Sequence, residues 1–312
     1  MVVTDASHMV GMTNRMKRKD MLPAAINAGC DMFLFFNDPQ EDFDTMLNAY
    51  NTGIISEERM VEALSRILGL KAAKGMHKMT QEQLCGTDEE LAAALNNPEF
   101  KAIAPAVSKD ALTLVKYKDE GVLPITPEKY KRIMLVNIKG AETPMSKLMV
   151  LAMGGAGAKK SPVDKLCDKL NEKGFEAFGY ESPLDKMMKQ VEAGGKFDMN
   201  LYFAGKNAIS EFVSGQDLVI SFFDVGGGHP TFGLSKGGGE IPWYVHELPV
   251  IGVSVNKPTM LADAPMLRTY INTYDANDYT LDALVDALMT GKEAFKGTDP
   301  IDAYCGMFDT HM

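Results

Sequence analysis

At 312 residues, with 46% hydrophobic and 24% charged side chains, the chain has the composition of a soluble globular protein large enough for two domains or one large one. A formal net charge of −10 excludes a broad nucleic-acid surface, which needs clustered excess Lys and Arg; the basic run from Arg15 to Lys19 reads as a solvated helix start. Cys30, Cys85, Cys167 and Cys305 are widely spread, without a CxxC pair or a His at metal-ligand spacing, so reduced thiols, a reducing compartment and no metal are expected. No apolar run approaches the ~18–20 residues of a membrane span, and the start lacks signal-peptide character, so the cytoplasm is the expected location, with no membrane contact.

The chain opens on Val2-Val3-Thr4-Asp5, β-branched residues running into a polar turn that carries His8 and Met9. In a parallel α/β protein the carboxyl end of a strand is where chemistry sits, which singles out Asp5. Met21 to Ala28 predicts a helix closed by Gly29. Asp31-Met32-Phe33-Leu34-Phe35-Phe36 is a continuous apolar run of the kind found in strands buried on both faces. Asn37-Asp38-Pro39 breaks it, and Glu41 to Asn51 forms the next helix, so about fifty residues hold two βα units. Ser56 caps a stronger helix carrying Met60, Leu64, Ile67 and Leu68 at helical spacing and ending before Gly75. Thr87 caps Asp88 to Asn96, and residues 77–107 are expected to link two domains.

A helix near Ser108 leads into Gly121-Val122-Leu123-Pro124, where a second domain, residues 108–312, is expected. Strands are predicted over Arg132–Ile138, Phe175–Tyr180, Asp217–Phe223, Pro249–Val255 and Arg268–Tyr274. Helices are predicted over Val163–Lys173, Pro183–Ala193 and Thr280–Met289. This alternation indicates a layered α/β sandwich around a mostly parallel sheet.

Two glycine-rich stretches invite a phosphate-binding reading. Gly154-Gly155-Ala156-Gly157-Ala158-Lys159-Lys160-Ser161 lacks the glycine that a P-loop places directly before its Lys, and Lys160 stands where a GxGxxG fingerprint needs its third glycine. The stretch from Asp224 to Trp243 holds Gly226-Gly227-Gly228-His229-Pro230 and Gly237-Gly238-Gly239-Glu240, then the only tryptophan, and leaves a buried strand where ligand loops sit. Trp243, Tyr244 and His229 offer a stacking platform and polar handles for a sugar, so a non-catalytic carbohydrate-binding or dimerisation module is a competing reading.

Alone, Asp5 is as readily a helix cap as a catalytic group. In combination, Val2 to Met9, Ala25-Ile26-Asn27-Ala28-Gly29-Cys30-Asp31-Met32, Gly53-Ile54-Ile55-Ser56-Glu57-Glu58-Arg59 and Arg66-Ile67-Leu68-Gly69-Leu70-Lys71 closely resemble glycoside hydrolase family 3. Gly121 to Pro124, Pro249 to Asn256 with Pro258, Pro265 to Tyr274, and Phe295-Lys296-Gly297 with Asp299-Pro300 extend the resemblance in the family's order. It implies that residues 1–76 are the last two βα units of a (β/α)8 barrel, and residues 108–312 the family's sandwich domain. It also implies a retaining exo-glycosidase lineage, working without a cofactor, in which Asp5 is the nucleophile.

Thr4-Asp5-Ala6 with Met9 looks like the β-N-acetylhexosaminidase branch, implying terminal β-linked N-acetylglucosamine as substrate, with glucose as the alternative. That branch takes its acid/base from an Asp-His pair on an earlier barrel loop; Asp5 and His8 are not that pair. Glucosidase-like members use a glutamate of the sandwich domain, for which Glu240 or Glu247 could stand. His8, Met9, His229 and Trp243 are the candidate substrate contacts. A barrel needs eight strands to close, and the chain supplies about two. The expectation is therefore a carboxy-terminal piece of a longer enzyme, inactive or nearly so alone. Its first ~75 residues would be loosely docked, partly disordered, or paired through exposed strand edges in a homodimer.

Overall fold

A computed structural model describes residues 1–139, 160–181, 189–191, 193–194, 196, 209–225 and 242–301. The chain divides into two compact units, Met1–Asn96 and Asn97–Met312. The division falls inside the 77–107 segment, which is largely helical. Among the described residues no helix is long and apolar enough to cross a membrane.

The first unit is built on β1 (Val3–Ala6) and β2 (Met32–Leu34), which pair in parallel with Val3 opposite Met32 and Ala6 opposite Leu34. A short α1 (Val10–Thr13) and α2 (Arg18–Asn27) connect them. Then follow α3 (Pro39–Asn51), α4 (Glu57–Ala73), α5 (Gln81–Cys85) and α6 (Asp88–Leu95). The local signals act as expected. Gly29 takes φ 108° after α2, Ser56 caps α4 and Thr87 caps α6; beyond expectation, Asp38 caps α3 through the Gln40 and Glu41 amides and Glu90 completes a capping box with Thr87. The core is small: Ile26, Ala49 and Ile55 are buried, with Phe33, Met46 and Met60 against them.

The run expected to be buried on both faces differs. β2 is three residues long, and Met32, Leu34, Phe35 and Phe36 are all exposed. A two-stranded sheet among the described residues offers too little surface to cover both faces of a strand, so the apolar run remains open to solvent.

The second unit begins with α7 (Pro98–Ala111), which contacts the last helix, α10 (Asp278–Thr290). Its sheet comprises β3 (Thr113–Tyr117), β4 (Arg132–Lys139), β5 (Glu176–Gly179), β6 (Leu218–Asp224), β7 (Val250–Ser254) and β8 (Thr269–Asn272) in the order β3-β8-β7-β6-β4-β5. All neighbours are parallel except β3, which runs antiparallel to β8. β3 departs from the sequence expectation: it follows α7 after one residue, where the helix near Ser108 is expected to lead on to Gly121.

Helix α8 (Pro162–Glu172) precedes β5 in the chain and α9 (Ile209–Val213) precedes β6. The predicted 183–193 helix falls mostly outside the described residues. β6 shows why the sheet is a middle layer. Leu218, Ile220 and Phe222 enter a cluster with Leu166, Leu170, Leu284 and Leu288, while Val219 and Phe223 enter a second with Tyr244, Leu261 and Leu267. Alternate side chains serve opposite faces and both faces are packed, which gives the layered sandwich.

Candidate active site

Along β1, Thr4 and Ala6 turn inward while Val3 and Asp5 face solvent, as strand periodicity requires. The Asp5 carboxylate is therefore accessible at the carboxyl end of its strand. Its Oδ1 accepts a hydrogen bond from the Ala6 amide at 2.7 Å, which aims it against its own backbone.

The turn that follows is pinned. Ser7 is fully buried; its amide donates to Leu34 O at 3.2 Å and its hydroxyl to Phe35 O at 2.6 Å. Arg18, the first residue of α2, donates from Nη1 to Ser7 O at 3.0 Å and from Nη2 to Ser7 Oγ at 2.9 Å. The same guanidinium grips Asp42 of α3, Nε to Oδ1 at 2.7 Å and Nη2 to Oδ2 at 2.5 Å, and the Asn37 amide donates to Asp42 Oδ2 at 3.0 Å. The Arg18 hydrogen bonds hold the Asp42 carboxyl below its ordinary range despite the opposing effect of burial.

Phe35 takes φ 52°, a backbone region that a bulky residue enters only under constraint. Its ring is 60% exposed and lies 6.4 Å from that of His8. His8 and Met9 are both exposed in the turn that follows β1, three and four residues after Asp5.

Beneath β1 lies a carboxylate shielded from water. Asp31 accepts from the Val2 amide at 2.7 Å, from Arg59 at 2.8 Å and from Arg66 at 3.3 Å. The Arg59 bond, then the Val2 bond, draw its carboxyl down to about 2. Arg59 also donates to Ile26 O and Cys30 O, each at 2.8 Å, tying the start of α4 to the turn between α2 and β2.

Trp243 belongs to the second unit. It is 42% exposed and packs against Phe212 (4.8 Å) and Tyr244 (5.5 Å); the buried Tyr244 hydroxyl lies 3.0 Å from Ser221 Oγ. Glu247 is exposed a few residues on. His229 and Glu240 lie outside the described residues. Among the described residues no three His, Cys, Asp or Glu side chains cluster as metal ligands would.

Arg18, Asp42, Ser7, Asp31 and Arg59 were not singled out from the sequence. No local signal marks Arg18, which lies in a basic run that reads as a solvated helix start; its partners Ser7 and Asp42 reach it only in the fold.

Comparison with known proteins places these residues in context. A model described as the glycosyl hydrolase family 3 N terminal domain matches residues 1–70. A Beta-N-acetylglucosaminidase/beta-glucosidase of Cellulomonas fimi is 34% identical over 315 residues, covering 100% of this chain and 51% of that protein. Among solved structures, Beta-glucoside phosphorylase BglX superposes with a TM-score of 0.75 at 28% identity, covering 100% of this chain and 50% of its own. A glycoside hydrolase family 3 β-N-acetylglucosaminidase from Paenibacillus sp. str. FPU-7 shares the fold, with a TM-score of 0.61 at 17% identity over 97% of this chain and 51% of its own. The chain thus spans about half the length of the relatives it matches.

Proposed function

The chain belongs to glycoside hydrolase family 3, and from that premise we propose that Asp5 is the nucleophile of a retaining glycosyl transfer. The observation that carries this reading is the accessible Asp5 carboxylate at the carboxyl end of β1, followed by a turn that Arg18 and Asp42 hold rigid. An Asp5 oxygen attacks the anomeric carbon of a β-glycoside, the glycosidic bond breaks, and the leaving group departs with the bonding electrons. The resulting glycosyl ester is then opened by an acceptor on the opposite side, so that two inversions restore the β configuration. This two-step displacement uses no cofactor.

The substrate proposed is a terminal β-linked N-acetylglucosamine, supported by the Thr4-Asp5-Ala6 and Met9 pattern and by the likeness to the Cellulomonas fimi protein; glucose is the alternative. A second reading concerns the acceptor. The likeness to a beta-glucoside phosphorylase along the whole chain favours phosphate in place of water, which would release a sugar 1-phosphate.

Dinitrophenyl β-N-acetylglucosaminide and β-glucoside test both points: dinitrophenolate leaves without a proton, so the assay reads the nucleophile even in a chain expected to be nearly inactive on ordinary glycosides for want of an acid/base partner. Release of dinitrophenolate that disappears in Asp5→Asn is the expected result; undiminished release in that variant overturns the assignment. Acceleration by phosphate, with sugar 1-phosphate as product, decides the acceptor, and the ratio of rates on the two substrates decides the sugar.

A further inference from the structure

Arg18 stands where helix electrostatics disfavour a cation, yet its side chain is only 19% exposed and makes four hydrogen bonds, two to Asp42 and two to Ser7. Neither partner is replaceable by water without loss, since Ser7 is fully buried and Asp42 nearly so. With the Ser7 amide on Leu34 O and the Ser7 hydroxyl on Phe35 O, every polar group of Ser7 is engaged.

Between that fixed residue and Asp5 stands only Ala6, whose amide holds the Asp5 carboxylate at 2.7 Å. The peptide plane that aims Asp5 is therefore separated from a locked anchor by the two soft dihedrals of one inward-facing residue. The same anchor holds the Phe35 carbonyl, and with it the left-handed backbone that presents the exposed Phe35 ring beside His8.

We propose that Arg18 is a positioning residue for Asp5, acting through Ser7, and that Asp42 serves to orient its guanidinium. The proposal rests on Asp5 being the nucleophile. A planar fork is required: a lysine ammonium at the same position keeps the charge beside Asp42 but cannot span both Asp42 oxygens and both Ser7 oxygens.

The test uses the full chain and a dinitrophenyl 2-deoxy-2-fluoro-β-glucoside, read as covalent mass gain at Asp5. The bond from an Asp5 oxygen to the anomeric carbon forms as dinitrophenolate leaves with its electron pair, and the fluorine slows the second step so that the ester accumulates. Arg18→Lys is expected to lower the first-order labelling rate constant roughly 10- to 100-fold, the scale of a misaimed reacting group, while inactivator affinity stays within about twofold. Ser7→Ala retains the Arg18–Asp42 pair and the bond to Ser7 O, and is expected to give a smaller loss in the same direction. Circular dichroism and melting temperature measure the folded fraction.

A purely structural role would reduce labelling in proportion to the folded fraction, and that result in both variants overturns the proposal, as does wild-type labelling speed in Arg18→Lys. A wild type that releases dinitrophenolate from the β-glucoside yet takes no label at Asp5, or labelling that persists in Asp5→Asn, overturns the nucleophile assignment and the proposal with it. Labelling of the wild type at Asp5 and slow labelling of a folded Arg18→Lys supports both.

Discussion

Asp31 and Arg59 meet at 2.8 Å across 28 residues of sequence, joining the turn before β2 to the first turn of α4. Their bond is the centre of a set that includes the Val2 amide, so the strand bearing Asp5 starts from a carboxylate that is itself held by an arginine fork.

This arrangement fixes the sign of a pH dependence. The folded-state value of Asp31, about 2, lies below the ordinary 3.8, so the unfolded chain takes up the proton first on acidification. The stabilisation is fully present above about pH 4 and is lost as pH falls through about 2. Asp31→Asn should therefore melt below the wild type at neutral pH, with the two curves converging near pH 2. A gap that persists unchanged at low pH would show that Asp31 contributes by shape alone.

Lys169 of α8 and Asp282 of α10 form the middle rung of a ladder. Lys165–Asp278 at 2.8 Å and Lys173–Asp286 at 2.9 Å flank it, each pair 113 residues apart. The constant offset means two helices running parallel in fixed register. Exposed pairs of this type each contribute little to stability and are screened by salt. Lys169→Glu should lower the melting temperature by no more than a few degrees, Lys169→Glu with Asp282→Lys should recover most of it, and about 1 M salt should abolish the difference. A large, salt-insensitive loss would instead mean that the Lys169 stem matters through packing.

Local signals made most of the fold legible. The apolar run of β6, the caps of α4 and α6, and the stripe of Leu281, Leu284 and Leu288 on α10 need only neighbouring residues to express themselves. Burial was less legible, because spacing shows an apolar stripe without showing what covers it. Leu64 and Leu68 lie at helical spacing on α4, yet they remain exposed and Ala63 is its only buried residue. β3 was missed because a strand of five residues pairing antiparallel with β8, some 155 positions later, has no local signature that separates it from the end of α7. At the candidate site Asp5 was visible from its motif. Arg18 was not, because its partners at Ser7 and Asp42 are brought to it only by the fold.

Thiol chemistry should separate Cys85 from Cys167. Cys85 is exposed, whereas burial, reinforced by Asp164 and Asp168, pushes the Cys167 thiol up to about 12. Since the thiolate is the reactive form, iodoacetamide at pH about 8 should alkylate Cys85 in the folded chain and reach Cys167 only on unfolding. Peptide mass mapping before and after denaturation reads this directly. Rapid native alkylation of Cys167 would mean that α8 opens from the sheet.

Gly252 and Gly297 separate two kinds of close packing. At Gly252 of β7 an added methyl would meet Leu267 Cδ1, the end of a side chain, at 2.7 Å and Tyr270 Cδ2, an atom of a buried ring, at 2.8 Å. At Gly297 it would collide with the Ala111 carbonyl oxygen and with Thr113 Oγ1, and meet the Ala111 carbonyl carbon at 2.9 Å. Gly297 cannot retreat, because its amide donates to Leu112 O at 2.9 Å. A leucine end can rotate and a ring can tilt slightly, whereas the backbone joining α7 to β3 is held by the β3–β8 pairing. Overpacking costs about 1–3 kcal/mol where some relaxation is possible, and Gly297→Ala should sit at or above the top of that range with Gly252→Ala below it. At roughly 2–4 °C per kcal/mol for a unit of this size, melting curves resolve the order. Equal losses would mean that the α7–β3 junction yields as readily as a leucine side chain.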